Sequence, residues 1–327
     1  MVLQLLPYYK KSIDLLKRFL YNLTYSNQDR YYSQGEFIMR YEGTVYRPPS
    51  EAGSLIIQLT IGCARNQCTF CGMYKDKKFR VRNLDEVAED LYMARKYDKM
   101  PVRRIFLADG DALTVKTSDL LFILDKINKI FPECERVSIY GAPGDILNKS
   151  PEALKSLKAS GLDMVYMGAE SGDDQVLEDV KKGATVPEII AAGLKVRAAG
   201  MTLSVTFISG LGGKARLKEH AQNSATMINA MKPEYVGFLT LMLEPGTQMY
   251  AQLERGEFTL LSPEEVLEEM ELVVSHIDSD GTIFRANHAS NYVALRGTFN
   301  KDKSLLLSQI KEAGRLRKYR PESFRGL

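Results

Sequence analysis

The chain has 327 residues, 45% of them hydrophobic, enough for a sizeable core in one large or two ordinary domains of roughly 150 residues each. Its 44 Lys and Arg against 41 Asp and Glu leave a net charge of only +3, which excludes a protein defined by a strong overall field, such as a nucleic-acid-coating chain. Four cysteines, three of them within nine residues, exclude a secreted disulfide scaffold.

Residues 2–25 are amphipathic, with Leu3, Leu6, Ile13, Leu16, Phe19 and Leu20 spaced for one helical face. Lys10, Lys11, Asp14, Lys17 and Arg18 interrupt what would be the apolar core of a signal peptide. No run of about 20 apolar residues follows, so the expected location is cytoplasmic, with no membrane partner. A Tyr-rich stretch leads to RPPS at 47–50, where the N-terminal extension (1–50) is expected to end. From 54 onward, Val/Ile/Leu-rich runs at 54–61, 103–108, 136–141, 163–169, 202–209 and 235–242 alternate with segments of helical period near 84–98, 117–130, 151–160, 173–182, 186–199, 216–231 and 263–278. Six such units predict an α/β fold, a partial (β/α)6 TIM-like barrel over 51–280. Ser150-Pro151 and Ser262-Pro263 read as helix starts, and Gly161, Gly183 and Gly200 as stops.

The remainder, 281–327, has another texture. GTIFRANHASNYVALRGTFN alternates too little to predict strands, and a helix with a basic end follows. Residues 311–327 hold six Lys and Arg against two Glu, leaving 38 basic and 39 acidic side chains elsewhere. The positive excess is entirely in this tail, which could touch RNA or could be a solvated helix end placed favourably against its own dipole.

Cys63, Cys68 and Cys71 sit in CARNQCTFC, directly after the first strand and therefore at the strand ends where parallel α/β sheets build their sites. Structural zinc sites want four ligands, and the three histidines, His220, His276 and His288, are all remote in sequence. A zinc site would have to recruit one of them or another distant residue. Three thiolates also suit a 4Fe-4S cluster with one iron left open to a ligand, whereas four would saturate it.

The three cysteines after a first strand, the closing C-x-aromatic-C and five further β/α units resemble the radical S-adenosylmethionine (radical SAM) superfamily. The resemblance implies that Cys63, Cys68 and Cys71 hold one 4Fe-4S cluster and that Phe70 lies against the adenine of S-adenosylmethionine. It further implies reductive cleavage of that cofactor to a 5′-deoxyadenosyl radical, which abstracts a substrate hydrogen. The family usually has three residues between the first two cysteines, and this chain has four. Asp109, Gly110 and Asp111 stand where the family commonly has Gly-Gly-Glu, which receives the cofactor's ammonium group. MGAESGDDQVLEDVKKGAT resembles a signature shared by methylthiotransferase-like, elongator-like and coproporphyrinogen-oxidase-like members, with Glu170 and Ser171 at the cofactor and Asp173 and Asp174 capping the next helix. FISGLGGK, with Gly210 and Gly212, resembles the Gly-rich turn under the adenine, and LMLEPGTQMY the turn closing this type of barrel.

The subtype is narrowed by what is missing. After the three cysteines only Cys134 remains, so an all-cysteine second cluster is excluded, and the 62 residues before Cys63 do not read as a cobalamin-binding β/α series. The expected partners are a small substrate and, by the resemblance, an electron donor such as flavodoxin or ferredoxin. RANHASNYVALRGT is expected to face that substrate, with His288 as a candidate acid or base and Tyr292 as a candidate hydrogen-atom relay. The competing reading is an iron-sulfur sensor or RNA-binding protein that cleaves no cofactor.

Overall fold

The run SLIIQLTI folds as two consecutive strands, β1 (Leu55–Gln58) and β2 (Thr60–Ile61), in a computed structural model that describes residues 39–97 and 100–326. The helix expected at 2–25 lies outside the described residues. A two-residue strand β3 (Arg80–Val81) pairs antiparallel with β2 and closes a long loop between them. The chain then alternates through α1 (Leu84–Tyr97), β4 (Arg104–Ala108), α2 (Thr117–Ile130), β5 (Arg136–Tyr140), α3 (Pro143–Asn148), α4 (Pro151–Ala159) and β6 (Leu162–Glu170). It continues as α5 (Asp174–Asp179), α6 (Val186–Ala198), β7 (Thr202–Ser209), α7 (Leu217–Met231), β8 (Tyr235–Thr240), α8 (Gln248–Glu254) and α9 (Pro263–His276). Strands β9 (Ile283–Ala286) and β10 (Leu295–Thr298) and helix α10 (Lys303–Leu316) complete it.

One sheet of eight strands runs in the order β1-β4-β5-β6-β7-β8-β9-β10, with β1 and β10 at opposite edges. All pairs are parallel except β9 with β10. This is the expected partial barrel. The stretch 281–300, expected to be irregular, instead adds β9 in parallel beside β8 and a final antiparallel strand. Its strands escape a search for alternation because they are four residues long and only Phe284, Ala286 and Leu295 are buried in them.

Strand residues alternate between two faces. Ile57, Leu107, Ile139, Val165 and Val205 point outward into the main core, which the helices cover. On that outer face Phe207, Phe238, Phe284 and Phe299 form a ladder with successive centroid separations of 5.2, 6.0 and 4.9 Å, which locks the last strands to the barrel. The inner face carries a separate cluster of Ile56, Phe106, Ala108, Met164 and Tyr166. Segment 39–50 lies over it. Tyr41 donates to the Ile56 carbonyl at 2.7 Å, and Gln58 exchanges hydrogen bonds with the Glu42 backbone at 2.9 and 3.2 Å. At the base of the inner face the fully buried Glu51 accepts from Arg136 at 2.7 Å, Ser138 at 3.1 Å and Tyr166 at 2.6 Å.

The helix signals hold. Ser150 caps α4 through the Ala153 N–H, and Ser262 with Glu265 forms a capping box on α9, each such cap contributing about 1 kcal/mol. Gly161, Gly183 and Gly200 all have positive φ, as helix stops require.

Candidate active site

The cysteine loop, residues 62–79, leaves the C-terminal end of β2 and is tied down without using any thiol. Asp109, fully buried at the end of β4, accepts on the same oxygen, Oδ2, from the Gly62 N–H at 3.1 Å, Gln58 at 2.9 Å and Lys77 at 2.9 Å. One carboxylate thus fastens both ends of the loop. In the middle, the Thr69 N–H donates to the Val180 carbonyl at 3.0 Å, and the Thr69 carbonyl accepts from Met249 at 2.9 Å, stitching the loop between α5 and α8. Arg65 reaches the Gly183 carbonyl at 3.0 Å. The Tyr74 ring packs against Gly110, where a Cβ would come within 2.5 Å of it. Gly110 is therefore required by the loop's own tyrosine.

Cys63, Cys68 and Cys71 are free and half-buried within this loop. Burial pushes the Cys71 thiol up to about 11, the Met73 N–H opposes the shift, and Cys68, Glu170 and Cys63 add to it. Burial likewise raises Cys68, with Lys182 pulling against it and Glu170 and Cys63 adding. The thiols thus lie within electrostatic reach of one another and of an ion pair. That pair is Lys182 with Glu170, at 2.8 Å. Glu170 ends β6 at a register shift and takes φ +66°, a left-handed conformation costing about 1–2 kcal/mol in a non-glycine residue. Such bulges re-aim side chains beside active sites. Burial lowers Lys182, but Glu170 and Cys68 outweigh it and raise its pKa overall. Among the described residues no three His, Cys, Asp or Glu side chains converge tightly enough to hold a single metal ion. Three thiols are the soft donor set that an iron-sulfur cluster takes.

The other expected site residues divide into two groups. Phe70 is half-buried beside Val176, Val180, Leu211 and Leu241, under the loop. Asp111 is fully buried; its Oδ1 accepts from the Ala142 N–H at 3.2 Å, and Oδ2 has no donor. Burial, then the neighbouring Asp145, raises its pKa. Asp109 Oδ1 is likewise buried without a donor, and an orphaned carboxylate oxygen suits a cationic ligand. Ser171, Gly210 and Gly212 make contacts within the framework. Ser171 Oγ meets His220 Nδ1 at 2.8 Å, and the Gly210 N–H donates to both carboxylate oxygens of the fully buried Glu269, at 3.0 and 3.2 Å. A Cβ on Gly212 would lie 3.2 Å from the Arg216 carbonyl and His220 Cβ. Asp173 caps α5 through Val176 and holds Arg216 at 2.9 Å by two bonds, so its expected capping role is filled.

His288 and Tyr292 lie beyond the C-terminal end of β9, on the same edge as the cysteine loop. His288 Nδ1 faces Ser290 Oγ at 2.9 Å, and burial followed by Arg320 lowers its pKa. Ser290 and Asn291 tie this loop to Thr240 and Phe238 at the end of β8. The tail covers it: Arg320 donates to the carbonyls of His288, Ala289 and Asn291, while Arg325 donates to that of Ser290 and stacks on Tyr292 at 3.8 Å. With Lys311 beside Glu271 at 3.4 Å and Arg317 beside Glu264 at 4.0 Å, four of the six basic residues in the tail have partners within the chain. No helix among the described residues is long and apolar enough to cross a membrane.

Sequence reading missed Lys182, Glu244 and Glu269. Glu244 lies against the cysteine loop, where a Cβ on Gly72 would come within 2.1 Å of its carboxylate. Lys182 lies within MGAESGDDQVLEDVKKGAT without having been given a role there, whereas Glu244 and Glu269 acquire theirs through contacts with distant segments.

Residues 57–219 match the family model described as the radical SAM superfamily. This chain carries a radical SAM domain. The radical SAM match spans the cysteine loop, the Glu170 strand end and the Gly-rich turn. The chain is 24% identical over 182 residues to the heme chaperone HemW of Bacillus subtilis, covering 55% of this chain and 47% of that protein. It is 25% identical over 208 residues to the 4'-phospho-dehydrooxetanocin synthase of Priestia megaterium, covering 58% and 28%. It therefore spans about half or less of the length of these relatives. In fold it is similar to coproporphyrinogen III oxidase (HemN) from Escherichia coli, a radical SAM enzyme, with a TM-score of 0.51, 17% identity, and 68% of this chain against 51% of that one.

Proposed function

We propose that the protein is a radical SAM enzyme whose Cys63, Cys68 and Cys71 bind one 4Fe-4S cluster and which acts on a small substrate held against the inner face of the barrel. The observation that carries this reading is the cysteine loop itself: three free thiols on one loop at the strand ends, which Asp109 fastens at both ends, on the same side as the Glu170–Lys182 pair. What the cluster supplies when bound is one electron for the reductive cleavage of S-adenosylmethionine to methionine and a 5′-deoxyadenosyl radical.

The chain's own residues bind and orient. Asp111, with one buried oxygen that receives no donor, is suited to the cofactor's ammonium group. Glu170, held by Lys182, presents a carboxylate to the ribose hydroxyls or that amine, and Phe70 offers an apolar surface to the adenine. Asp109, Gly110, Ser171, Gly210 and Gly212 keep the surrounding turns in shape. His288 and Tyr292, under the clasp of Arg320 and Arg325, close the opposite side of the pocket.

Anaerobic reconstitution tests this reading. Four irons and four sulfides per chain are expected, with 5′-deoxyadenosine released on addition of dithionite and S-adenosylmethionine. Substituting Ala at Cys63, Cys68 or Cys71 should abolish iron loading, whereas Cys134→Ala retains it. A fully loaded protein that releases no 5′-deoxyadenosine would refute the enzyme reading and leave the iron-sulfur sensor.

A further inference from the structure

The sheet register places Gly168 beside Thr206, Thr206 beside Gly237, Gly237 beside Arg285, and Arg285 opposite Arg296. All five lie on the inner face, in step with Phe106, Met164 and Tyr166 one or two rows below. The row begins directly under the Glu170–Lys182 pair, since a Cβ on Gly168 would come within 2.1 Å of Glu170 Oε1 and 3.2 Å of Lys182 Nζ. It ends on two arginines. Directly opposed residues on antiparallel strands stand about 5 Å apart at Cα, and like charges so placed destabilise the pair.

Elsewhere on this face the same arrangement is relieved. Arg104 pairs in register with Arg136, and there buried Glu51 takes Arg136 at 2.7 Å. Arg285 and Arg296 are both exposed, and among the described residues no carboxylate pairs with either. Arg285 donates only to carbonyls, those of Phe284 at 2.7 Å and Gly297 at 3.3 Å. The floor next to them is open as well. Packing demands glycine at 110, but a Cβ on Gly237 would meet nothing closer than 3.8 Å. Two uncompensated guanidinium groups beside an unfilled stretch of barrel wall form a fork suited to an anion.

We propose that Arg285 and Arg296 bind an anionic group, a carboxylate or a phosphate, at the far end of the substrate pocket. Three strand spacings of about 4.8 Å separate Arg285 from Gly168, so the anion would sit within about 14 Å of the Glu170–Lys182 pair. The substrate class follows: a small organic acid or phosphate ester whose reacting carbon lies several bonds from its charge. That the anion belongs to a substrate rests on the radical SAM reading; the anion site itself does not.

Calorimetric titration of the anaerobically reconstituted protein at low ionic strength tests the site, with succinate and inorganic phosphate as probes. Saturable binding of one probe per chain is expected, weakened at least tenfold by Arg285→Gln and by Arg296→Gln and partly retained by Arg285→Lys. Binding of phosphate alone assigns a phosphate group, and binding of succinate alone a carboxylate. In buffer free of both probes, Arg296→Gln should melt higher than the parent, because it removes the repulsion. Failure of both probes to bind, binding unchanged in the Gln variants, or a lower melting temperature for Arg296→Gln overturns the proposal. Release of 5′-deoxyadenosine by the unmodified protein is scored separately: its absence defeats the enzyme reading while leaving the anion site standing.

Discussion

Replacing Asp109 with alanine removes the one carboxylate that fastens both ends of the cysteine loop. Lys77 Nζ, on a side chain only 5% exposed, would be left buried without its counter-ion, and Gln58 Nε2 and the Gly62 N–H would lose their shared acceptor. Breaking a buried ion pair from one side costs about 3–5 kcal/mol, and that range already includes much of the penalty for the orphaned donors. Urea unfolding of the metal-free protein followed by circular dichroism measures it. Lys77→Met alone should cost less, because Asp109 keeps two donors. Combined with Asp109→Ala it should restore about 1–3 kcal/mol relative to the sum of the single changes, the coupling expected of a contacting pair. A loss below about 1 kcal/mol for Asp109→Ala, or strict additivity of the two changes, would refute the idea that this carboxylate organises the loop.

Burial pushes the Glu269 carboxyl from 4.5 up to about 8, with the Gly210 N–H opposing. The folded state therefore holds this proton more tightly than the unfolded chain, and the stability it contributes is complete below pH 4.5 and lost as the pH rises to about 8. His220, held down to about 4 by burial, is neutral in both states above its ordinary 6.5, so unfolding measured from there to about pH 8 should fall more steeply in the parent than in Glu269→Gln. Equal slopes would contradict this assignment. Arg325→Ala should accelerate amide exchange across 288–292 by releasing the Ser290 carbonyl and the Tyr292 ring, an effect read by mass spectrometry. Gly172→Ala places a Cβ 2.4 Å from the backbone of Asn223 and Ser224, an overpacking that should cost about 1–3 kcal/mol and lower the melting temperature; an unchanged one would contradict the contact.

The parts of the fold that were legible in the sequence are those decided locally. The apolar runs became β1 and β4 to β8, and Ser150, Ser262 and Gly200 marked helix ends because a cap needs only its own turn. The cysteine loop was legible for the same reason. What escaped depends on distant partners. Strand β9 has Phe284 in the aromatic ladder and Arg285 on the inner face, a pattern that makes sense only once β8 lies beside it. Asp109 and Asp111 looked equivalent in DGD, and each buries one oxygen that no donor reaches, yet the fold puts three donors on the other oxygen of Asp109 and only the Ala142 N–H on that of Asp111. Glu269 lies 59 residues from the Gly210 N–H it accepts, so no local pattern could have announced it.

The ties that hold the cysteine loop are amides, carbonyls, a carboxylate and an ammonium group, none of them sulfur. In a zinc finger the metal is the folding energy, and a chelator unfolds the domain. A loop tied in this way is one the polypeptide can complete before any cluster is added. If the loop holds the proposed cluster, exposure to oxygen or a shortage of iron would then leave a folded protein ready to be recharged.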